Sequence, residues 1–222
     1  MRAFDEIYEI AAGRKGGAAG LEKLLSKPKD AAALCAISDD RWLSMMAKCI
    51  FNAGFNWRVV DAKWPGFEEA FEGFAPRRVA MYADDDFDRL VQDERIVRHG
   101  GKIRAVQENA AFVADLAREH GCAAEVFAHW PREEYVDLLA MLKSRGSRLG
   151  GNTGQYFLRF MGCDSFILSK DVVGRLVAEN VIDKPPTSKS SMRAVQGAFN
   201  TWSNQCGRSL TEISGVLARS IG

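Results

Sequence analysis

The chain has 222 residues, 47% of them hydrophobic and 27% charged, an ordinary globular composition that can bury a sizeable core as one large or two small domains. Its formal net charge of +1 excludes attraction to a polyanion through overall charge, so any contact with nucleic acid depends on where the basic residues sit. No stretch approaches the roughly 18 apolar residues of a membrane helix, so neither a signal peptide nor a membrane span is expected, and a cytoplasmic protein is.

The predicted elements, in chain order, are helical. A first short helix gives way to the glycine-rich stretch Gly13 to Gly20, GRKGGAAG. Trp42 to Ala53 is apolar nearly all round, the pattern of a central helix. Between Gly101 and His120, Ile103, Val106, Ala110, Val113 and Leu116 recur at steps of three and four, which sets one stripe of an amphipathic helix. Pro131, at a first-turn position, opens a helix reaching about Ser144. A tight turn then leads into a helix from about Thr153 to Met161, and Asp171 stands at the start of another. The Pro/Ser stretch Asp183 to Ser191 precedes the last two helices. In the final one Ser209 and Glu212 form a capping box ahead of Leu210, Ile213 and Leu217. Alternating strand patterns and internal repeats are lacking, and the whole reads as an all-α protein of about ten short helices.

Charge is local. Lys143, Arg145 and Arg148 crowd one segment, and Arg95, Arg98, Lys102 and Arg104 another, while Asp84, Asp85, Asp86 and Asp88 form an acidic stretch. The five cysteines, Cys35, Cys49, Cys122, Cys163 and Cys206, show no CxxC pair and read as free, mostly buried thiols. The three histidines, His99, His120 and His129, form no zinc-type set of Cys and His ligands, so neither a structural zinc nor a cofactor is expected.

The segment with most chemical content is SRGSRLGGNTGQYFLRFMG, Ser144 to Gly162. Glycines at 150 and 151 permit positive φ and let a phosphate approach the backbone. The unpaired N–H groups of the following helix, from Asn152 and Thr153 onward, then point at that anion. Arg145 and Arg148 add charge that favours a nucleic-acid strand without reading its sequence. The same residues would also serve a plain αα-corner. Past Gly162, the apolar step Phe166, Ile167 and Leu168 leads through Ser169 and Lys170 to Asp171, where a carboxylate serves equally as a helix cap.

This order of helix, glycine hairpin, helix, glycine, apolar connector and Asp-headed helix resembles the helix-hairpin-helix DNA glycosylase superfamily. Three blocks, NAGFNW (Asn52 to Trp57), RLVQDERIVRHGGKIRAVQENAAFV (Arg89 to Val113) and the hairpin segment, resemble the DNA-3-methyladenine glycosylase I family in the same order. The resemblance runs from about Ser38 to Leu176. It implies a two-lobed helical bundle over residues 1–222 with an interlobe cleft, acting on double-stranded DNA that contains a damaged base, and a monomer.

The resemblance also implies site residues. Trp57 would be a wall of the base pocket, with Phe51, Trp42, Cys49 and Asn52 around it. Phe55 would be a wedge filling the gap left by the flipped base. Arg145, Arg148, Gly150, Gly151, Asn152, Thr153 and Lys102 would face phosphate, and Asp171 would be the catalytic carboxylate. Trp57 and Asp171 would meet across the cleft.

Four departures qualify the family pattern. Its structural zinc is held by Cys and His from both ends of the chain, but the N-terminal segment offers no such pair and Asp171 replaces the later His, so no metal is expected. Cys49 stands where the family's base-recognising Glu is expected. Asp171 falls where the wider superfamily keeps a catalytic Asp that the 3-methyladenine type lacks. Asn152 occupies the place of the Lys that forms a Schiff base in strand-cutting members, which leaves a monofunctional enzyme. The competing expectations are a non-catalytic helix-hairpin-helix DNA-binding module, in which Asp171 caps and the aromatics are core, and an all-α protein-interaction domain with a basic corner.

Overall fold

The structure, a computed structural model, describes residues 1–221. Among the described residues there are fourteen α-helices, two 3₁₀ turns and no strand. The first seven helices are α1 (Phe4–Gly13), α2 (Ala18–Glu22), α3 (Ala31–Cys35), α4 (Asp39–Asn52), α5 (Trp57–Ala70), α6 (Pro76–Val79) and α7 (Asp84–Gln92). The rest are α8 (Gly100–His120), α9 (Ala123–Ala128), α10 (Tyr135–Arg145), α11 (Asn152–Met161), α12 (Lys170–Ala178), α13 (Lys189–Cys206) and α14 (Leu210–Ser220). No helix among the described residues is long and apolar enough to cross a membrane.

The all-α expectation is met with more and shorter helices than the periodicity suggested. Pro131 does not open α10. It precedes a 3₁₀ turn, Arg132–Glu134, and the α-helix starts only at Tyr135. The reason lies in its backbone, φ −59° and ψ 123°, which is extended rather than helical. Gly20 lies inside α2 rather than in a linker, and the Pro/Ser stretch ends at Ser188, whose hydroxyl accepts from the Ser191 N–H and caps α13. The capping box of α14 forms as expected: Ser209 Oγ accepts from the Glu212 N–H, and the Glu212 carboxylate accepts from the Ser209 N–H.

The chain divides into two compact units. The first comprises Met1–Lys29, Pro131–Leu138 and Gly162–Gly222, and its core is an aromatic stack. Phe166 lies flat on Phe199, with centroids 4.2 Å apart, and meets Tyr135 edge-on at 4.6 Å. The buried Tyr135 hydroxyl donates to the Phe166 carbonyl at 3.1 Å, which satisfies both polar groups.

In the same unit Glu179 is buried and accepts from the Arg2 backbone N–H, the Arg2 guanidinium and the buried Arg175. Arg175 also donates to the Ser220 hydroxyl and carbonyl, at 2.8 and 2.6 Å. The chain's start, α12 and the end of α14 are thereby joined by one polar network. Burial alone would push the Glu179 carboxyl up, but these donors hold it below its ordinary value.

The second unit comprises Asp30–Trp130 and Leu139–Met161. Its centre is α4, which is buried along much of its length against α8 and α11. Trp42 stacks on Phe127 at 4.7 Å and meets Phe157 edge-on at 5.9 Å. A second aromatic cluster, Trp64, Phe67, Phe71 and Phe74, packs beside it.

Candidate base site and nucleic-acid interface

The hairpin runs from Arg145, the last residue of α10, to Asn152, the first of α11. Its turn is anchored by a residue far away in sequence. Asn109, fully buried on α8, accepts from the Ser147 N–H at 2.9 Å and donates to the Ser147 carbonyl at 2.9 Å and the Ala105 carbonyl at 2.8 Å. Leu149 is buried beneath the turn, and a side chain at Gly154 would meet the Leu149 carbonyl. Gly151 has φ +59° with open space where a Cβ would point, so the left-handed backbone, not crowding, requires glycine there. Arg148 also takes a left-handed φ, 56°, uncommon for a residue with a Cβ. Its Nε donates to the Gly101 carbonyl at 3.1 Å, which ties the turn to the start of α8.

The basic side chains differ in what they have left to offer. Arg145 makes a two-pronged pair with Glu119 at 2.9 and 3.0 Å and lies over the Phe112 ring, so its charge is already partly matched. Arg148, Gly151 and Asn152 are exposed, and Gly150 and Thr153 are half-buried.

Lys102 is not on this surface. It is 5% exposed, and its ammonium donates to the carbonyls of Phe51 at 3.1 Å and Ala53 at 2.5 Å, with the Phe55 ring 4.4 Å away. The phosphate-facing role expected of it is corrected: carbonyls at the end of α4 satisfy this cation, which sits against the dipole of its own helix. Burial, helped by the nearby charge of Arg148, lowers its pKa to about 8.

The corner that Lys102 holds presents aromatics outward. Phe55, in the turn between α4 and α5, is 39% exposed and meets His99 edge-on at 6.1 Å. Asn56 caps α5 by accepting from the Arg58 N–H, so Trp57 is the helix's first residue and is 42% exposed. Tyr156 and Phe160, one turn apart on α11, meet the Trp57 ring edge-on at 5.6 and 5.9 Å. Phe160 is itself 44% exposed. Neither residue was singled out from the sequence, although two aromatics four apart on the helix after the hairpin were the available signal.

Of the other residues expected around a pocket, Trp42 and Phe51 are completely buried. Trp42 belongs to the core described above, with its indole N–H donating to the Ile37 carbonyl, and the expectation that it lines an open pocket is corrected. Phe51 packs edge-on against Phe67 at 4.6 Å. Cys49 is buried, and burial pushes its thiol up to about 12, so it stays neutral. Asn52 is 4% exposed and its side-chain oxygen is buried without a hydrogen-bond partner. In a native fold an orphaned acceptor of this kind calls for an explanation.

The match of the methyladenine glycosylase family extends over residues 34–153, more than half of the chain. The chain belongs to that family. It is 43% identical over 59 residues to DNA-3-methyladenine glycosylase 1 of Escherichia coli (strain K12), covering 27% of this chain and 32% of that protein. It is 34% identical over 64 residues to the DNA-3-methyladenine glycosylase of Haemophilus influenzae, covering 28% and 35%. The chain thus matches about a third of the length of each of these relatives. In fold it is similar to the Methanocaldococcus jannaschii 8-oxoguanine glycosylase/lyase, solved with a 15mer DNA containing 8-oxoguanine, with a TM-score of 0.52 at 14% identity over 96% of this chain and 95% of that one.

Asp171 lies beyond the matched residues 34–153. That residue is exposed in the first turn of α12, and the cap is made by Ser169, whose hydroxyl accepts from the Val172 N–H at 3.3 Å. The connector before it is held by α14: Thr211 Oγ1 accepts from the Ser165 N–H and donates to its carbonyl, and Ser214 Oγ accepts from the Ile167 N–H. Gly162 begins the connector at φ +97°, packed against the Lys29 side chain. Residues 1–34 contain neither Cys nor His, so the N-terminal segment does not supply the ligands of the zinc site that the resemblance implies.

Proposed function

We propose that this chain is a monofunctional DNA glycosylase that flips a damaged, 3-methyladenine-like base out of double-stranded DNA and hydrolyses its N-glycosidic bond. The observation that carries this reading is the exposed Trp57 ring, framed edge-on by Tyr156 and Phe160 beside a glycine hairpin, in a chain of the methyladenine glycosylase family. A base in a duplex is out of reach, and extrusion costs a few kcal/mol, least for a damaged pair. An indole face offers a flat surface for the extruded base and favours the positive charge of an alkylated purine by about 0.5–2 kcal/mol.

The orphaned Asn52 oxygen, five residues before Trp57 in the chain, supports a polar contact to the base. An exocyclic amino group of an adenine-type base would donate to it and remove the cost of about 1–3 kcal/mol that an unpaired buried acceptor carries. Phe55, exposed at the turn, fills the gap in the duplex. Arg148 and the backbone N–H groups of Gly151, Asn152 and Thr153 hold the phosphates.

Asp171 orients the attacking water and stabilises positive charge developing on the deoxyribose. The water oxygen bonds to C1′ as its proton passes to the Asp171 carboxylate, the C1′–N bond breaks, and the alkylated, cationic base leaves neutral with that bond's electron pair. Asn152 has no amine to form a Schiff base, so the strand is left uncut at an abasic site. The protein acts as a cytoplasmic monomer.

The test is release of base from a methylated duplex. Wild type releases 3-methyladenine without strand cleavage, and Asp171→Asn lowers the rate at least about a hundredfold, the scale of general acid–base catalysis. The neutral, buried Cys49 favours one alternative, a non-catalytic DNA-binding module, since it supplies no charged reader of the base. Binding to damaged duplex with no base release by wild type is the result that reading requires.

A further inference from the structure

Three different donor atoms converge at the end of α3. The Cys35 sulfur, a Glu125 carboxylate oxygen and a His129 ring nitrogen all lie within 4.8 Å of one another. Glu125 is on α9 and His129 caps its C-terminal end, one turn further on, so the two side chains lie on the same face. His129 Nδ1 is 3.1 Å from Glu125 Oε2, and the Cys35 thiol hydrogen-bonds to the same carboxylate.

The frame around these donors is built. Asp30 caps α3 by accepting from the Ala33 N–H at 2.7 Å, and Asp39, at the start of α4, accepts from the Ala123 N–H at 2.8 Å, which fixes the start of α9. One thiolate and one carboxylate neutralise a divalent ion, and a neutral imidazole completes a mixed S, O and N set of the kind zinc accepts.

We propose that Cys35, Glu125 and His129 bind one Zn²⁺ ion, with water in the fourth position. Binding releases the Cys35 thiol proton to solvent, and the ion links α3 to α9. These residues are separate from those that would hold the family's zinc and from the base site. The wide sequence separation of Cys35 from Glu125 and His129 hid them from a reading based on close Cys/His spacing.

The full chain, stripped of metal with a chelator, is titrated with Co²⁺ and followed by absorption. One equivalent is expected to produce a sulfur-to-cobalt charge-transfer band that Zn²⁺ then discharges. Cys35→Ser removes the band, and His129→Ala, at an exposed position, weakens binding more than about tenfold, the scale at which even outer-shell partners matter. Cys206→Ser, at a thiol outside the cluster, leaves the band unchanged, and circular dichroism reports the folding of each variant. No band with wild type, or a band that survives unchanged in both Cys35→Ser and His129→Ala, overturns the proposal.

Discussion

The ammonium of Lys102 donates to the carbonyl of Ala53 at 2.5 Å, and this contact holds the corner that carries Phe55 and Trp57. Replacing it with Met keeps the stem and removes the donor. In Lys102→Met, amide hydrogen exchange at Ala53, Gly54 and Phe55 is expected to accelerate relative to wild type while the amides of α4 stay protected. Unchanged exchange there would show that the corner holds itself.

The same lysine makes stability depend on pH. Its pKa in the folded protein is lowered to about 8 by burial, so above that value the folded state sheds a proton that the unfolded chain still binds. The stability of wild type relative to Lys102→Met is therefore expected to rise from about pH 8 to about pH 10, where an unperturbed lysine titrates. Thermal melts of both proteins across that range check it, and a flat difference contradicts it.

Asn109 carries the hairpin turn through three hydrogen bonds from a fully buried position. Asn109→Ala leaves the Ser147 N–H and carbonyl without that partner, and a loss of about 2–3 kcal/mol is expected in denaturant unfolding. Loss below about 0.5 kcal/mol would mean that the turn finds other partners.

Glu179 is the acid of a buried network, and Glu179→Gln leaves Arg175 charged and incompletely paired. The expected cost is about 3 kcal/mol in the same assay. Because its donors hold the carboxyl low, this contribution is present at neutral pH and is lost as pH falls through the folded value. The difference between wild type and variant should therefore shrink in acid.

Arg148 and Arg145 differ in what they can give to phosphate. Arg145 is paired with Glu119 on two prongs, whereas Arg148 is exposed and spends its Nε on a carbonyl. On an abasic duplex, Arg148→Ala is expected to reduce the salt slope of binding by about 0.9, one phosphate contact, and Arg145→Ala by less. Equal slopes for both variants would contradict this ranking.

What the sequence made legible was what depends on neighbours along the chain. The period of α8, the capping box of α14 and the glycine turn before α11 are local signals, and they formed as expected. Lys102 turns away from the phosphate-facing surface because its acceptors are carbonyls about 50 residues away, which no local pattern encodes. Asn109 gave no signal, because a polar residue on an amphipathic helix reads as solvent-facing until its partner 38 residues on is placed beside it. Trp42 and Trp57 are both aromatics on neighbouring helices; burial against Phe127 and Phe157 separates the first from the exposed second, and no local pattern encodes that difference.

In the proposed reaction the exposed Trp57 ring receives the extruded damaged base. The decisive assay is single-turnover release of 3-methyladenine from a methylated duplex with every substrate molecule bound. Wild type is expected to release the base, and Trp57→Ala to release it at least about fivefold more slowly, the cost of one lost stacking contact of about 1–3 kcal/mol. Release at the wild-type rate by Trp57→Ala, or no release by wild type under saturating protein, would rule out that role for Trp57.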